Sequence, residues 1–299
     1  MYHHKLIALY FFVCERYEKD YSHYCARQSK NQQVPDFTDE ELLTVYLFVV
    51  SEEERFKIKS IHDFAKRYLY SWFPKLPSYQ AFNNRLNQLV PVFEQMLQDL
   101  ITMHMPADCS TTDSLLDSMP IITCSGKRSG KVARSITDKG YCSTKSMYYY
   151  GLKLHLLGWR RDGCLPWPES IVFTPASEND LNLFKHSWCT ISNRNFFGDK
   201  IYHDAPFFDN MKEQQQAIMF TPVKAVKGQT QSTKQFAQAY NDLFSKAVST
   251  VRQPIEALFS WLIQKTDIQR ASRVRSDKGL LIHVLGKLTA AFIFTIFNP

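Results

Sequence analysis

Asp117 stands inside an apolar run, Leu115-Leu116-Asp117-Ser118-Met119-Pro120-Ile121-Ile122. An ionised carboxylate in such surroundings is costly to bury unless a cation or hydrogen-bond donors offset it. The competing reading is an Asp that faces solvent on an edge strand. Asp199 closes a second apolar run, Phe196-Phe197-Gly198, with Lys200 behind it. Glu256 follows Arg252 by one helical turn in Arg252-Gln253-Pro254-Ile255-Glu256-Ala257-Leu258-Phe259, a spacing that by itself describes a surface ion pair of little energetic value. Taken together, three carboxylates drawn from two strands and a helix make the ligand set of a two-magnesium site. Two hard cations need oxygen ligands, a shared carboxylate and open positions for a substrate phosphate and water. Asp204 and Asp209 compete with Asp199 but sit better as helix-cap or surface acids.

Strands are expected at 115–122, 146–159, 170–173, 195–199 and 217–220, from apolar and β-branched runs. Helices fit at 180–190, 205–215 and 252–265, the last with Pro254 in its first turn, where proline is tolerated. Strands that come first and then alternate with helices describe a mixed α/β sheet with helices on its faces. The acids at strand ends then fall where sites assemble in open α/β architectures. The polar residues 229–238 read as a mobile loop.

The first third of the chain differs. All ten glycines lie at Gly126 or later, so the preceding residues hold few left-handed turns and are expected to be mostly helical. Thr38 followed by Glu41 is a capping box ahead of Leu42, Leu43, Tyr46, Leu47 and Val50 at helical spacing. A second helix begins near Ser60, and Ser78 caps a third after the proline-marked turn at 72–77. Two short helices about a turn are expected to form a helix-turn-helix at 60–90, within a helical region 1–105. The second of them carries Gln80, Asn83, Asn84, Arg85 and Asn87, whose amide and guanidinium groups can read base edges in a major groove. A solvated polar face on a core helix is the alternative.

Charge sharpens the division. The chain carries a formal +7 over 299 residues, with 12 Lys and Arg against 13 Asp and Glu in residues 1–105 and 24 against 16 thereafter. Between the first two expected strands, residues 126–145 hold Lys127, Arg128, Lys131, Arg134, Lys139 and Lys145 against the single acid Asp138. A solvated loop explains such a run in general, whereas beside a phosphodiester-cleaving site it grips backbone phosphates. Arg270, Arg273, Arg275 and Lys278 form a further basic cluster. Trp159, Trp167 and Trp188 are core residues by habit, with stacking on an unpaired base as the functional reading. Seven scattered cysteines without a C-x-x-C pair argue against a zinc ribbon or a disulfide framework and suit a reducing, cytoplasmic compartment. The apolar start lacks the features of a signal peptide, and the apolar stretch 280–297, broken by His283 and Lys287, reads as a buried helix. Residues 126–132 fall short of a P-loop, and no H-x-x-x-H spacing or nucleophile elbow is present.

Five motifs in order, around Asp117-Ser118-Met119-Pro120, Tyr149-Tyr150-Gly151-Leu152-Lys153-Leu154-His155, Pro175-Ala176-Ser177-Glu178-Asn179-Asp180, Gly198-Asp199-Lys200-Ile201-Tyr202 and Arg252-x-x-Ile255-Glu256-x-x-Phe259-Ser260, resemble the DDE transposases of bacterial insertion sequences. Together with Leu76-Pro77-Ser78-Tyr79-x-x-Phe82-Asn83-x-Arg85, they are most similar to the group named after insertion sequence nine-eighty-two. The resemblance implies an RNase H-like catalytic domain at 106–299 with a basic insert at 122–145, and Asp117, Asp199 and Glu256 as the metal-binding catalytic triad. It implies Mg²⁺, with Mn²⁺ as a substitute, and DNA as partner, bound as transposon ends and target by a homodimer. In related families the Glu helix also carries a Tyr, an Arg and a Lys at fixed offsets. Here Arg252 matches, Ser249 replaces the Tyr, and Ile263 stands at the Lys position with Lys265 two residues on.

The expected function is therefore cleavage of insertion-sequence ends and joining of the 3′ hydroxyl to target DNA. Candidate DNA contacts are Asn83, Asn84, Arg85, Lys127, Arg128, Lys131, Arg134, Lys145, Lys153 and Arg252. The alternatives are a DNA-binding relative that has lost catalysis and an RNase H-like nuclease that cuts without joining.

Overall fold

The computed structural model describes residues 3–24, 35–223 and 231–298, with side chains for all of these except 231–237 and 239. Two compact units divide the chain: the first takes in Met1–His104, Lys131–Ser135 and Leu262–Pro299, the second Met105–Gly130 and Ile136–Trp261.

The first unit opens on helix α1 (His3–Arg16), which runs into a π-helical turn at Tyr17–Tyr21. Thr38 caps α2 (Asp39–Ser51) by accepting the Glu41 backbone N–H, and Glu41 returns the bond to the Thr38 N–H at 2.7 Å. The expected capping box is therefore formed. Its apolar run is buried continuously from Leu42 to Val50, which makes α2 the central helix of this unit. Helix α3 (Ile58–Tyr68) and helix α4 (Tyr79–Gln88) follow, the latter capped by Ser78. They are separated by residues 69–78, so the connection is longer than the tight turn read from the sequence. Helix α5 (Val90–Met103) tolerates Pro91 in its first turn.

In the second unit, β1 (Asp113–Ser125), β2 (Asp138–Cys142), β3 (Met147–Trp159) and β4 (Trp167–Pro175) precede α6 (Asp180–Ser187), β5 (Asn195–Phe197), α7 (Ala205–Gln215), β6 (Ile218–Phe220) and α8 (Gln231–Thr266). β3 pairs antiparallel with β1 on one side and with both β2 and β4 on the other, while β5 pairs parallel with β1 and β6 parallel with β5. Four strands joined by antiparallel pairings, β1 to β4, extended by the parallel β5 and β6, make a six-stranded RNase H-like sheet with β1 between β3 and β5, and the fold class is mixed α/β as expected. Helices α6 and α7 cover one face, where Phe184, Trp188, Tyr202, Phe208 and Met211 pack on Leu116, Leu157 and Phe196.

Two expectations in this unit are corrected. Residues 138–142, read as part of a basic loop, form the edge strand β2, because β3 extends past β4 and leaves backbone groups to pair. The helix read at 252–265 begins at Gln231, which places Pro254 in its interior rather than its first turn and makes the latter part of the expected 229–238 loop helical. Residues 229 and 230 of that loop lie outside the described residues, as does Cys25.

The last residues of α8, Leu262 onward, belong to the first unit. There α9 (Asp277–Leu281), a π-helical turn at Ile282–Gly286 and α10 (Lys287–Phe297) form the apolar stretch read as a buried helix. By length and composition 277–297 is apolar enough to cross a membrane, yet two thirds of it is buried inside the protein, against α2 and α5. A Cβ at Gly286 would lie 2.6 Å from the Tyr46 hydroxyl, so only glycine allows this approach.

Candidate active site

β1 presents Asp117 from the centre of the sheet, with its side chain about a fifth exposed. Its Oδ1 accepts the backbone N–H of Ser118 at 2.8 Å, and its Oδ2 accepts Nη1 of Arg252 at 2.7 Å. The other arm of the guanidinium, Nη2, donates to Oε1 of Glu256. Arg252 and Glu256 are one turn apart on α8, so a single side chain ties the helix acid to the strand acid. A planar fork suits this task better than an ammonium would. Nε of Arg252 is buried and has no hydrogen-bond partner among the described residues.

Asp199 sits just beyond β5, parallel to β1 and adjacent to it. Its Oδ1 accepts the Lys200 N–H at 2.6 Å and its carbonyl accepts the Tyr202 N–H at 3.0 Å. A Cβ at Gly198 would fall 2.7 Å from the Tyr202 ring, so glycine lets the chain turn over the tyrosine at this point. Tyr202 is fully buried, and its hydroxyl has no hydrogen-bond partner among the described residues. Burial, reinforced by the charges of Asp180, Asp117 and Asp199, pushes its pKa well above the ordinary tyrosine value.

Asp117 thus feels both of the other acids read from the sequence. Burial pushes the Asp117 carboxyl up to about 6; Arg252 and the Ser118 N–H oppose the rise, and the charges of Asp199 and Glu256 add to it. Oxygen donors crowded at negative charge are the chemistry a hard divalent cation relieves. Among the described residues, however, no three His, Cys, Asp or Glu side chains converge into a ready-made metal cluster. The positive charge between Asp117 and Glu256 is the guanidinium of Arg252.

A second network lies alongside, and spacing alone did not assign it a role. Asp180, buried at the start of α6, accepts Oγ of Ser118 at 2.9 Å and Nζ of Lys153 at 2.8 Å. Lys153 also donates to the Glu178 carbonyl at 2.7 Å. His155, wholly buried, shares a hydrogen bond with Thr174 at 2.8 Å, and burial lowers its pKa to about 4. Ser118 therefore links the two networks, its N–H on Asp117 and its hydroxyl on Asp180. The available signal was Asp180 in the first turn of a helix, which describes many surface acids equally well.

The candidate DNA contacts are distributed unevenly. Arg85 donates to the Phe37 carbonyl and, at 2.5 Å, to Asp39 at the start of α2; this commits it inside the first unit. Asn83 is half-buried, and Asn84 is exposed. Lys153 is engaged by Asp180 and Glu178, and Arg252 by the two acids. Lys127, Arg128, Lys131, Arg134 and Lys145 are all exposed. Trp167 and Trp188 are buried, Trp188 donating to Ser170 at 3.1 Å, while Trp159 lies under the Arg194 guanidinium. Lys265 pairs with Glu54 at 2.8 Å.

No curated protein and no solved structure matches the chain. A family model described as a transposase DDE domain matches residues 109–293, from the residues before β1 through α8 into α10. That match spans well over half of the chain and takes in all three acids, the sheet that carries Asp117 and Asp199, and the helix that carries Glu256; the chain belongs to the transposase DDE domain family.

Proposed function

We propose that the protein cuts DNA at the ends of a mobile element and joins the freed 3′ hydroxyl to target DNA, with Asp117, Asp199 and Glu256 as its catalytic carboxylates. The observation that carries this reading is the bridge from Asp117 on the central strand through Arg252 to Glu256 on α8, with Asp199 close enough to raise the Asp117 carboxyl. Family membership implies transposase chemistry on DNA in general, and the site supports the finer assignment.

The three carboxylates would hold Mg²⁺, or Mn²⁺ in its place, and a divalent pair supplies activation of the attacking oxygen and stabilisation of the leaving one. The protein's own groups orient that chemistry. Ser118 fixes Asp117 through its backbone N–H and is itself fixed through its hydroxyl by Asp180. Arg252 is the cationic donor nearest the acids, and its fork geometry matches a phosphate as well as a carboxylate. The exposed bases at 127, 128, 131, 134 and 145 favour the DNA backbone. The helical 1–105 region is assigned to end recognition, with Asn83 and Asn84 left on α4 and Arg85 serving the fold.

The test is incubation of the purified chain with a labelled element end, a supercoiled target plasmid and Mg²⁺. Wild-type protein is expected to nick the end and yield strand-transfer products. Asp117→Asn and Glu256→Gln should each lower both by roughly 100-fold or more, the loss of several kcal/mol of transition-state stabilisation, with DNA binding retained. Products that persist in Asp117→Asn overturn the triad; nicked ends without joined products reduce the activity to that of a nuclease.

A further inference from the structure

The hairpin formed by β2 and β3 has two unlike faces. On one, Tyr149 and Cys142 are buried against Ala176, with Met147 packed on them. On the other, Tyr141 and Tyr148 are directly paired across the strands, with ring centroids 5.0 Å apart, and stay 53% and 58% exposed. Cross-strand aromatic pairing stabilises a hairpin, but it does not require both rings to remain more than half in water. Lys139, two residues before Tyr141 on the same face, holds its ammonium 5.1 Å from the centre of the Tyr148 ring. The Gly126 N–H donates to the Tyr148 carbonyl at 2.8 Å, and a Cβ at Gly130 would enter the Tyr150 ring, so residues 126–130 lie on this end of the hairpin. Lys127 and Arg128, both exposed, follow directly from that contact. Lys145 in the hairpin turn is exposed as well.

We infer that this tyrosine and lysine face is a binding surface for unpaired DNA strand, on which Tyr141 and Tyr148 stack against bases while Lys127, Arg128 and Lys139 neutralise phosphates. Aromatic π-faces set within basic side chains are the recognition chemistry of single-stranded nucleic acid, since every base offers a ring to stack and every nucleotide a charge. Duplex DNA hides its bases and would engage the lysines alone. The inference rests on the proposed action on DNA, and it adds the class of DNA and the residues that would hold it.

The test uses the full chain and fluorescence anisotropy with labelled oligo(dT) and with a labelled duplex of unrelated sequence, each over a salt series. Tyr141→Ala and Tyr148→Ala should each weaken oligo(dT) binding by about 5- to 100-fold, with an unchanged salt slope and little change on the duplex. Tyr141→Phe and Tyr148→Phe should bind oligo(dT) like wild type, which separates loss of the ring from loss of the hydroxyl or of the fold. Lys127→Gln and Lys139→Gln should each lower the salt slope on oligo(dT) by about 0.7. Alanine variants that bind oligo(dT) as wild type does, or that lose the same affinity on duplex, overturn this assignment while leaving the proposed cleavage reaction standing. A wild-type protein that binds neither probe overturns both.

Discussion

At the scale of single residues, Arg252 is the side chain on which the candidate site turns. It holds Asp117 and Glu256 together with a guanidinium only about an eighth exposed, so its removal leaves the two acids without the cation between them. Arg252→Ala is expected to destabilise the metal-free protein by about 1–3 kcal/mol, and Mg²⁺ should restore part of the loss; thermal melts with EDTA and with Mg²⁺ check this. Asp117 gives a pH signature. Its carboxyl, 3.8 in the unfolded chain, rises to about 6 in the fold, so the folded state holds this proton more tightly. Its contribution to stability is complete below about pH 4 and is lost as pH rises through 6. Asp117→Asn should therefore melt higher than wild type at pH 8 in EDTA, by on the order of 1–3 kcal/mol, and the gap should narrow at pH 4. An equal or lower melting point at pH 8 would contradict the burial of this charge. Asp117 stood out in the sequence because it interrupts an apolar run, whereas Glu256 taken alone looked like half of a surface ion pair. The commitment of Arg85 to Phe37 and Asp39 was not legible there, since a polar residue on a helix looks the same whether it meets solvent or caps another helix.

At the scale of elements, the Thr38 capping box and the helix α8 show how far local chemistry reaches. Thr38→Ala removes the side-chain acceptor for the Glu41 N–H and is expected to cost about 1 kcal/mol, measurable by urea unfolding of the full chain. Its position was readable because capping is a matter of four consecutive residues. The extent of α8 was not. Pro254 marks a helix start in sequence terms, yet here it lies well inside a helix that begins at Gln231. It withdraws one backbone N–H and leaves the carbonyl of Thr250 without its helical partner. Pro254→Ala is expected to raise stability by roughly 1–3 kcal/mol after allowance for the more flexible unfolded chain, and a lower melting point would show that the helix is built around the proline. β2 escaped the sequence reading for a related reason: Asp138, Lys139 and Gly140 have no strand propensity, and the strand exists because β3 offers an edge to pair with.

At the scale of the whole molecule, stability and DNA binding should respond to different variables. In the first unit His283 donates to the Ile268 carbonyl and Lys287 to the Asp267 carbonyl, and burial drives their pKa values down to about 3 and about 7. Both are favoured in neutral form by the fold. As pH falls from 6.5 through 3 the unfolded chain takes up the His283 proton first, so stability is lost on acidification; as pH rises from 7 to 10.5, Lys287 ceases to penalise folding and stability is gained. Lys287→Met should raise the melting point at neutral pH and flatten its rise toward pH 10, and a variant that melts lower would show that the bond to Asp267 outweighs the burial. What the sequence determined by itself were the features written in neighbouring residues: the apolar strands and the acids within them, the caps, the mixed α/β class and the basic excess after residue 105. Only the tertiary structure decided which acids bear on Asp117, that Arg252 joins Asp117 to Glu256, that β2 exists, and that residues 262–299 pack with the first unit although they follow Glu256 in the chain. The physical reason is that propensity, capping and hydrophobic period act over a few residues, whereas ion pairing, desolvation and strand pairing depend on groups that only folding brings within a few ångströms.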